Sequence, residues 1–468
     1  MKADFKKLDR AFNPKTLVVI GDSNRNEFQW LRAQSTFQGK LYSVQVNPES
    51  IRAIQALGIP NYTTVLDIPE PVDLAIISVP RVAVPQVIED CIRKEVAAAH
   101  MFTAGFSETD TDEGIQAEQW LKQRAEEANV HIIGPNCMGL FNPRIGNRQF
   151  PEQYSGTYGS LGIISQSGGH AVNMSLMAHM QGLDVNKSVS FGNGTVLDST
   201  DFLEYFAQDP EIKVIILYLE GVKDGDRFLK ALRAATAVKP VVIWKGGRTE
   251  EGGRAIASHT GSLAVPQSIW ESMIRQCGAL SAREMEDLID TANALTHLPP
   301  VQGVRVGVTG GAGGQSVNIA DTFAEAGLRL PRLTEDSYGK LREFYNIIGG
   351  GFLNPVDTGN QNRFEMARIV DILARDPNID NLAILSLARM LNMDGRLDSF
   401  VEMTADLKAQ TDKPIISIIN YHSMEELPVV KAVLDKFQAI GIPTFPSIER
   451  GAVALKNAYD YYRMRDSS

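Results

Sequence analysis

Short apolar runs that alternate with helical patterns lay out the first third of the chain. Residues 16–20, 41–46, 72–79, 97–103 and 131–133 are near-continuous in apolar residues, and each run ends in a turn. A strand that is apolar along its whole length is buried on both faces, which is typical of a parallel sheet covered by helices. The pattern therefore predicts an α/β fold with a parallel, doubly wound sheet.

The same pattern restarts near residue 158 and then occurs a second time. Strands are predicted at 161–164, 214–219 and 241–244, and again at 304–308 and 382–387. The two regions share sequence: GGHAVN at 168–173 matches GGQSVN at 313–318, DPEI at 209–212 matches DPNI at 376–379, and KPVVI at 239–243 matches KPIIS at 413–417. Because the period is domain-sized, we predict a duplicated α/β domain rather than a solenoid. With Pro299-Pro300 as a linker, three domains are predicted, at 1–145, 146–298 and 301–468.

Composition excludes several classes of protein. Lys and Arg total 46 against 56 Asp and Glu, the net charge is −10, and no basic stripe is present, which disfavours a nucleic-acid partner. The chain has three cysteines, and Cys91, Cys137 and Cys277 are far apart in sequence. This spacing argues for a reducing compartment and against a structural zinc site. No metal site is predicted in this chain. Apolar runs are too short for a signal core or a membrane span. We expect a cytoplasmic protein.

The turn after the first strand is a poor dinucleotide fingerprint. A GxGxxG motif would need glycine where Ser23 and Asn26 stand. This disfavours a nicotinamide-dependent oxidoreductase. Ligands of doubly wound sheets nevertheless bind at the carboxyl ends of the strands, so the strand-end turns of the first domain should form one crevice.

A glycine-rich segment surrounds a single histidine, His259. Residues 245–264 read KGGRTEEGGRAIASHTGSLA and follow the strand at 241–244. We predict a loop here, with its glycines as hinges, because long loops inside compact domains are usually functional. Neutral imidazole is a usable nucleophile at physiological pH. The alternative is a solvated surface loop with an incidental histidine.

Two glycine turns mark candidate phosphate sites, because each exposes backbone N–H groups at the start of a helix. The candidate residues are Ser167, Gly168 and Gly169 in one copy and Gly311, Ala312, Gly313 and Gly314 in the other. Tight packing of strand against helix is the alternative explanation for these glycines. Glu220, at the end of the strand 214–219, is placed to hold the far N–H of the His259 ring and fix its tautomer. An ordinary strand-end carboxylate is the alternative for Glu220.

Several motifs together resemble one family. SHTGSLA with the upstream KGGRTEEGG, the ISQSGG turn, the YLEG strand end and IIGPNCMG are similar to motifs of the NDP-forming acyl-CoA synthetases, kin of succinyl-CoA synthetase. The chain looks like an α subunit of the ADP-forming acetate–CoA ligase type. The resemblance implies a Rossmann-like CoA-binding domain followed by two duplicated flavodoxin-like domains, the last with the NPVD motif at 354–357. It also implies that His259 is phosphorylated and that Glu220 supports it.

The resemblance implies a reversible reaction in three steps. Phosphate attacks the acyl-CoA thioester to give acyl phosphate and free coenzyme A; His259 takes the phosphoryl group and releases the carboxylic acid; the phosphoryl group then passes to ADP to make ATP. The ATP/ADP and Mg²⁺ site is expected on a separate ATP-grasp β subunit in an α2β2 assembly. The implied coenzyme A contacts are Gly21, Ser23, Asn24, Arg25, Asn47, Pro48, Val79, Pro80, Thr103, Ala104, Gly105, Asn136 and Cys137.

One departure from the family pattern keeps an alternative open. Asp22 and Glu27 put negative charge in the first turn, near the expected phosphates of coenzyme A, which would weaken binding unless Arg25 offsets it. The alternative is a catalytically altered CoA-binding regulatory or scaffold subunit. The intact His259, Glu220 and both glycine turns argue against it. The acid substrate cannot be derived from these motifs.

Overall fold

The computed structural model describes residues 2–260, 267–311, 313–347, 350–393 and 395–466, without the side chains of 257–260 and 360–361. It divides into two compact units. The first comprises Met1–His179 and Asp184–Arg283, and the second comprises Met180–Leu183 and Glu284–Ser468.

The first sheet has the strand order β3-β2-β1-β4-β5-β6, and each neighbouring pair is parallel. Its strands are β1 (Thr16–Ile20), β2 (Lys40–Val44), β3 (Asn61–Tyr62), β4 (Leu74–Ile77), β5 (Ala98–Met101) and β6 (His131–Ile133). The helices are α1 (Phe5–Phe12), α2 (Gln29–Ala33), α3 (Pro48–Ala56), α4 (Val84–Arg93) and α5 (Asp112–Ala128), with 3-10 turns at Asn24–Asn26, Gln34–Thr36, Val65–Asp67, Arg81–Ala83 and Ser107–Thr109. This order is that of a dinucleotide-type doubly wound sheet, so the predicted Rossmann-like fold is confirmed.

The second sheet has the order β12-β11-β10-β8-β9-β7, with β7 antiparallel at one edge. Its strands are β7 (Gly139–Phe141), β8 (Leu161–Ser165), β9 (Val185–Ser190), β10 (Val214–Leu219), β11 (Val241–Lys245) and β12 (Leu280–Ala282). The helices are α6 (Gly168–Met180), α7 (Ser199–Gln208), α8 (Gly225–Thr236), α9 (Glu250–Thr260) and α10 (Gln267–Gln276), with a 3-10 turn at Pro143–Ile145. From β8 onward the order is flavodoxin-like. The half-polar β9 was not predicted, although all six of its residues are buried.

The second unit begins with α11 (Met285–His297) and holds a parallel sheet in the order β13-β14-β15-β16. The strands are β13 (Val306–Thr309), β14 (Asn381–Leu387), β15 (Ile415–Asn420) and β16 (Thr444–Phe445). The helices are α12 (Gln315–Glu325), α13 (Glu335–Arg342), α14 (Met366–Arg375), α15 (Ala388–Leu391), α16 (Arg396–Gln410), α17 (Leu427–Ala439) and α18 (Ile448–Asp466), with 3-10 turns at Asn360–Glu365 and Met424–Glu426. Its strand order repeats that of β8, β10, β11 and β12.

Equivalent hydrogen bonds confirm that the two domains are copies. Lys239 Nζ donates to the Asp209 carbonyl oxygen, and Lys413 Nζ donates to the Asp376 carbonyl oxygen at 2.8 Å. Both bonds join the Lys-Pro turn before one strand to the Asp-Pro turn before its neighbour. The sequence identity between the copies therefore lies in residues that hold adjacent parallel strands in register.

The predicted glycine-rich loop is wrong for residues 250–260, which form the helix α9. The segment has the signals of a helix start: the Gly252 N–H donates to Thr249 Oγ1 at 3.1 Å, and two glutamates occupy the first turn. Gly247, just before the helix, has φ of +68°, and a Cβ there would lie 2.3 Å from the Ile256 side chain. Gly247 is therefore required for packing of this helix. Residues 261–266 lie outside the described residues.

Two buried histidines make the first unit sensitive to acid. Burial lowers the pKa of His100 and of His131 to about 4 in each case, with the charge of Lys7 adding to the effect on His131. Both rings are neutral in the folded protein and gain a proton near pH 6.5 only when the chain unfolds. Because the unfolded state then binds more protons, stability must fall as the pH drops from 6.5 towards 4.

We predict that unfolding free energy drops by about 2 kcal/mol per buried histidine between pH 7.5 and pH 5. His100→Gln should flatten this pH dependence by that amount, because a glutamine does not titrate. Trp30, whose ring centroid is 5.0 Å from that of His100, provides the fluorescence signal for urea unfolding. The exposed His422→Gln is the matched control. If the unfolding free energy of His100→Gln depended on pH as strongly as that of the wild type, the role given to His100 would be contradicted.

Candidate functional site

The carboxyl ends of three strands of the second sheet bring Gln166, Glu220 and Gly246 together. The Gln166 side-chain oxygen accepts hydrogen bonds from the N–H groups of Glu220 at 2.9 Å and Gly221 at 3.2 Å. The Gln166 N–H donates to the Tyr218 carbonyl oxygen at 3.0 Å. Gly246 approaches so closely that a Cβ there would lie 2.6 Å from the Tyr218 hydroxyl. The backbone at Glu220 is therefore fixed from both neighbouring strands.

The Glu220 side chain is held inside this strand-end site. It is 8% exposed, and its Oε1 accepts a hydrogen bond from the Tyr218 hydroxyl at 3.3 Å. Burial, followed by the charge of Glu220, raises the pKa of Tyr218, so the phenol stays protonated as a donor. Lys245, also buried, donates from Nζ to the Glu220 carbonyl oxygen at 2.8 Å. A carboxylate anchored in this way has a defined position for a charge-assisted hydrogen bond.

His170, in the first turn of α6, packs against two aromatic rings. Its ring centroid is 4.4 Å from that of Tyr218 and 4.7 Å from that of Trp244. Burial lowers the pKa of His170, which keeps the ring neutral at physiological pH. This cluster forms one wall beside Glu220.

The glycines of the first predicted phosphate turn differ in what they pack against. A Cβ on Gly168 would lie 2.6 Å from Met138, so packing requires glycine there. A Cβ on Gly169 would meet no heavy atom within 4 Å, and the residue is exposed at the start of α6. Packing therefore does not require glycine at residue 169, and the predicted anion contact at this helix N-terminus stays a prediction.

The second glycine turn is partly occupied by a carboxylate of its own domain. Gly313 donates its N–H to Asp357 Oδ2 at 3.2 Å, and the Ser316 hydroxyl donates to Asp357 Oδ1. A Cβ on Gly313 or Gly314 would meet nothing within 4 Å, but Gly311 and Gly313 have φ of +76° and +56°, which favour glycine at both positions. An anion at this turn would have to share it with Asp357. Ala312 lies outside the described residues.

The helix that carries the candidate nucleophile lies beside the first domain. Backbone residues of α9 pack next to the 3-10 turn Ser107–Thr109, which follows β5. His259 is the second-last residue of this helix, and its side chain lies outside the described residues. The structure thus places α9, the helix that includes His259, next to a strand-end turn of the first sheet, and both lie within the first unit.

A small cavity lies at this junction. It has a volume of about 100 Å³ and is lined by groups from both domains, including Ser107 and Glu118 from one and Gln166, Asn193 and Lys223 from the other. The Asn193 amide donates to Glu118 Oε2 at 2.9 Å and to Glu108 Oε2 at 2.7 Å, which ties the domains together. Its lining holds the carboxylates of Glu118 and Asp198 as well as the amine of Lys223.

The candidate coenzyme A residues lie at or near the carboxyl ends of strands of the first sheet. Gly21 has φ of +88°, and a Cβ there would lie 2.4 Å from the Val79 side chain. The turns that follow β1 and β4 therefore pack closely against each other. Asp22 is fully buried, and its carboxylate accepts hydrogen bonds from the N–H groups of Leu31 at 2.8 Å and Ser23 at 3.1 Å. Its negative charge is therefore directed into the turn, not towards the crevice.

Not all thirteen candidates present side chains to this crevice. The Asn47 side chain caps α3 by accepting from Glu49 N–H at 2.9 Å, and the Thr103 hydroxyl donates to the Val79 carbonyl oxygen at 2.7 Å. The Cys137 thiol is buried, and burial raises its pKa to about 12. The others lie in the strand-end turns: Ser23, Asn24, Arg25, Pro48, Pro80, Ala104, Gly105 and Asn136.

The crevice also has an exposed apolar rim. Val46, Val82 and Phe102 are 70%, 89% and 37% exposed, and each follows a strand of the first sheet at its carboxyl end. Polar turns combined with an apolar rim fit a large ligand that carries both phosphate groups and apolar parts. This is the chemistry of coenzyme A.

Sequence reasoning missed Tyr218, Gln166 and Lys245 as site residues. Tyr218 had a usable signal, because residues two apart on a strand share a face and Glu220 was already a candidate. Gln166 lies inside the ISQSGG motif, from which only Ser167, Gly168 and Gly169 were considered as candidates. Lys245 gave no signal, because its burial depends on Trp270 and neighbouring strands.

Searches for similar proteins agree with this arrangement. Residues 15–143 match a family model described as a CoA binding domain, and residues 158–295 match a succinyl-CoA ligase like flavodoxin domain. No helix within the described residues is long and apolar enough to span a membrane.

Two relatives and one solved structure show the extent of the similarity. The α subunit of ADP-forming acetate–CoA ligase II from Pyrococcus furiosus is 35% identical over 96% of each chain. ADP-forming acetate–CoA ligase I from Archaeoglobus fulgidus is 36% identical over 80% of this chain but only 54% of its own length. The dinucleotide-forming acetyl-coenzyme A synthetase 1 of Ca. Korarchaeum cryptofilum, in complex with phosphate and ADP, superposes with a TM-score of 0.84 at 30% identity, covering 98% of this chain and 97% of that one. The chain therefore belongs to the family of ADP-forming acetate–CoA ligase α subunits.

Proposed function

We propose that this chain is the α subunit of an ADP-forming acyl-CoA ligase that interconverts acyl-CoA, ADP and phosphate with a carboxylic acid, coenzyme A and ATP. The proposal rests on one observation. One compact unit contains the strand-end site around Glu220, the helix α9 with His259 and the crevice of the CoA-binding domain. The proposed location is the cytoplasm.

Coenzyme A, when bound, supplies the thiol that carries the acyl group. The crevice residues that would hold it are the turn Ser23–Arg25 for the phosphates and the rim of Val46, Val82 and Phe102 for the apolar parts. The inward orientation of Asp22 removes the argument for a regulatory subunit with an impaired coenzyme A turn. Glu27, the other acidic residue, is exposed and pairs with Arg32 at 3.4 Å.

The phosphoryl group passes through His259 in this proposal. Phosphate displaces the thiol from the acyl carbon, so a C–S bond breaks and a C–O bond to phosphate forms. The His259 ring nitrogen then attacks phosphorus, and the P–O bond to the acid breaks. Glu220 holds the other ring N–H, so that the attacking nitrogen keeps its lone pair and the ring's developing positive charge is stabilised.

The N-terminus of α6 supports the transferred group. Gly169 is open to an anion, and its backbone lies at the positive end of a 13-residue helix. The corresponding turn at Gly311, Gly313 and Gly314, together with Ala312, is proposed as a second phosphate contact. ADP and Mg²⁺ are proposed to bind an ATP-grasp β subunit in an α2β2 assembly, since the longer Archaeoglobus relative has nearly half of its length beyond this chain's match.

We predict that the purified chain incorporates labelled phosphate from acyl-CoA and inorganic phosphate but makes little ATP alone. The label should be acid-labile and base-stable, as expected for a phosphohistidine, and should be absent in His259→Ala. His422→Ala is the matched control, because His422 is exposed in the other unit. Labelling that persists in His259→Ala would overturn the proposed mechanism, and rapid ATP formation by the chain alone would remove the need for a partner.

Glu220→Gln should slow phosphorylation about ten- to a hundredfold with the fold unchanged. The amide keeps the shape but removes a charge-assisted hydrogen bond, worth about 1.5–3 kcal/mol. Rapid-quench labelling gives the rate, and thermal unfolding checks the fold. Glu284→Gln, at the N-cap of α11, is the control. Wild-type rates in Glu220→Gln would make Glu220 an ordinary strand-end carboxylate.

Gly169→Ala should slow phosphorylation without lowering the melting temperature. Alanine favours a helix by about 1 kcal/mol over glycine, and a Cβ at residue 169 meets no atom, so the melting temperature should hold or rise. The same Cβ narrows the approach to the helix N-terminus, so phosphorylation should slow at least tenfold. Gly225→Ala, in the first turn of α8 and equally unobstructed, is the control. Unchanged phosphorylation in Gly169→Ala would show that no anion approaches there.

A further inference from the structure

The first turn of α6 contacts structure on both sides of the proposed reaction site. A Cβ on Gly168 would lie 2.6 Å from Met138, which belongs to the segment that follows β6 of the first sheet. Two residues further along the helix, the His170 ring packs against Tyr218, whose hydroxyl donates to Glu220 at 3.3 Å. All of these residues lie in the first unit. The turn that carries His170 therefore joins the crevice of the CoA-binding domain to the strand-end site.

The His170 ring is held by packing alone. Its centroid lies 4.4 Å from that of Tyr218 and 4.7 Å from that of Trp244. Among the residues that the structure describes, none forms a hydrogen bond with either ring nitrogen, and His170 is only half-buried. His179, near the other end of the same helix, differs in this respect, because its Nδ1 lies 2.6 Å from Asp184 Oδ1. The His170 nitrogens are therefore open to a ligand.

The thioester step of the proposed reaction requires the movement of a proton. Hydrogen phosphate forms a C–O bond to the acyl carbon while the C–S bond breaks. The acyl phosphate does not keep the proton that hydrogen phosphate carried, and the departing sulfur must gain one to become a thiol. A neutral imidazole suits this transfer, because its ring nitrogen can accept a proton and return it. Burial lowers the pKa of His170, which keeps the ring neutral and makes the imidazolium a readier donor.

We propose that His170 is a catalytic residue of the thioester step and carries this proton from hydrogen phosphate to the sulfur of coenzyme A. The proton passes from the attacking phosphate to a ring nitrogen. The electron pair of the C–S bond leaves with the sulfur, which then takes the proton from the imidazolium, so no further reactant is needed. His259 keeps its separate role as the phosphoryl acceptor. This inference rests on the proposed function, because it assigns a residue to the first step of that reaction.

Two labelled donors separate the thioester step from the step that follows it. Labelling of the full-length chain by inorganic phosphate and acetyl-CoA requires both steps, whereas labelling by acetyl phosphate requires only the transfer to His259. His170→Phe keeps an aromatic ring against Tyr218 and Trp244 but removes both nitrogens. Since general acid–base catalysis contributes about 10²–10⁴-fold, this variant should slow labelling from acetyl-CoA about a hundredfold or more. Its labelling from acetyl phosphate should equal that of the wild type.

A control variant and a rescue experiment test whether the nitrogens or the packing matter. His179→Phe makes the same change in the last turn of α6, where the ring stacks on Tyr154, and should leave labelling from both donors unchanged. His170→Ala opens a space between the rings of Tyr218 and Trp244. Added imidazole should raise its labelling from acetyl-CoA about tenfold or more, because imidazole supplies the missing base. Thermal unfolding shows whether each variant is folded, and the rescue does not depend on the stability of His170→Phe.

Three results would overturn this inference while leaving the proposed ligase intact. They are a wild-type rate with acetyl-CoA in His170→Phe, equal slowing with both donors, and failure of imidazole to restore folded His170→Ala. Equal slowing would give His170 a structural role. Wild-type labelling with neither donor would overturn the ligase itself. Wild-type labelling with acetyl phosphate alone would remove the thioester step and this inference with it.

Discussion

The parallel arrangement of strands is the constraint on which the rest of this structure depends. In a parallel sheet every strand ends at the same edge, so residues far apart in sequence become neighbours there. Gln166, Glu220 and Gly246 meet in this way at the second sheet, although they are separated by 54 and 26 residues (166 to 220 and 220 to 246). The crevice of the first sheet and the cavity lined by Gly311, Leu387 and Asn420 in the second unit arise for the same reason.

Burial gives the strand-end site its electrostatic character. Glu220 and Lys245 carry opposite charges in a region shielded from water, where interactions between charges are stronger than at the surface. Burial lowers the pKa of Lys245, and its Nζ donates to the backbone carbonyl groups of Glu220 and Gly246. The lysine therefore fixes the strand ends. Tyr218 supplies a neutral donor to the Glu220 carboxylate and packs against His170.

Duplication supplied two similar domains whose strand ends then diverged. The Lys-Pro and Asp-Pro contacts that hold neighbouring strands in register remain in both. At the glycine turns the copies differ, because Asp357 occupies the second turn and Gly169 leaves the first one open. The cavity of the second unit is also lined by residues of α15 and α16.

The sequence by itself determined the fold class, the duplication and most strand positions, because short continuous apolar runs that end in turns are typical of strands buried on both faces. It also predicted roles for His259, Glu220 and the crevice turns through motif and strand-end position, and those roles stay predictions. It misjudged residues 250–260 as a loop, since glycines mask the helix-start signals of Thr249 and the two glutamates that follow. It missed β9, whose polar residues are buried only because other elements cover them. The inward orientation of Asp22, the burial of Lys245 and the open space at Gly169 were decided by tertiary structure alone, because each depends on atoms contributed by distant parts of the chain.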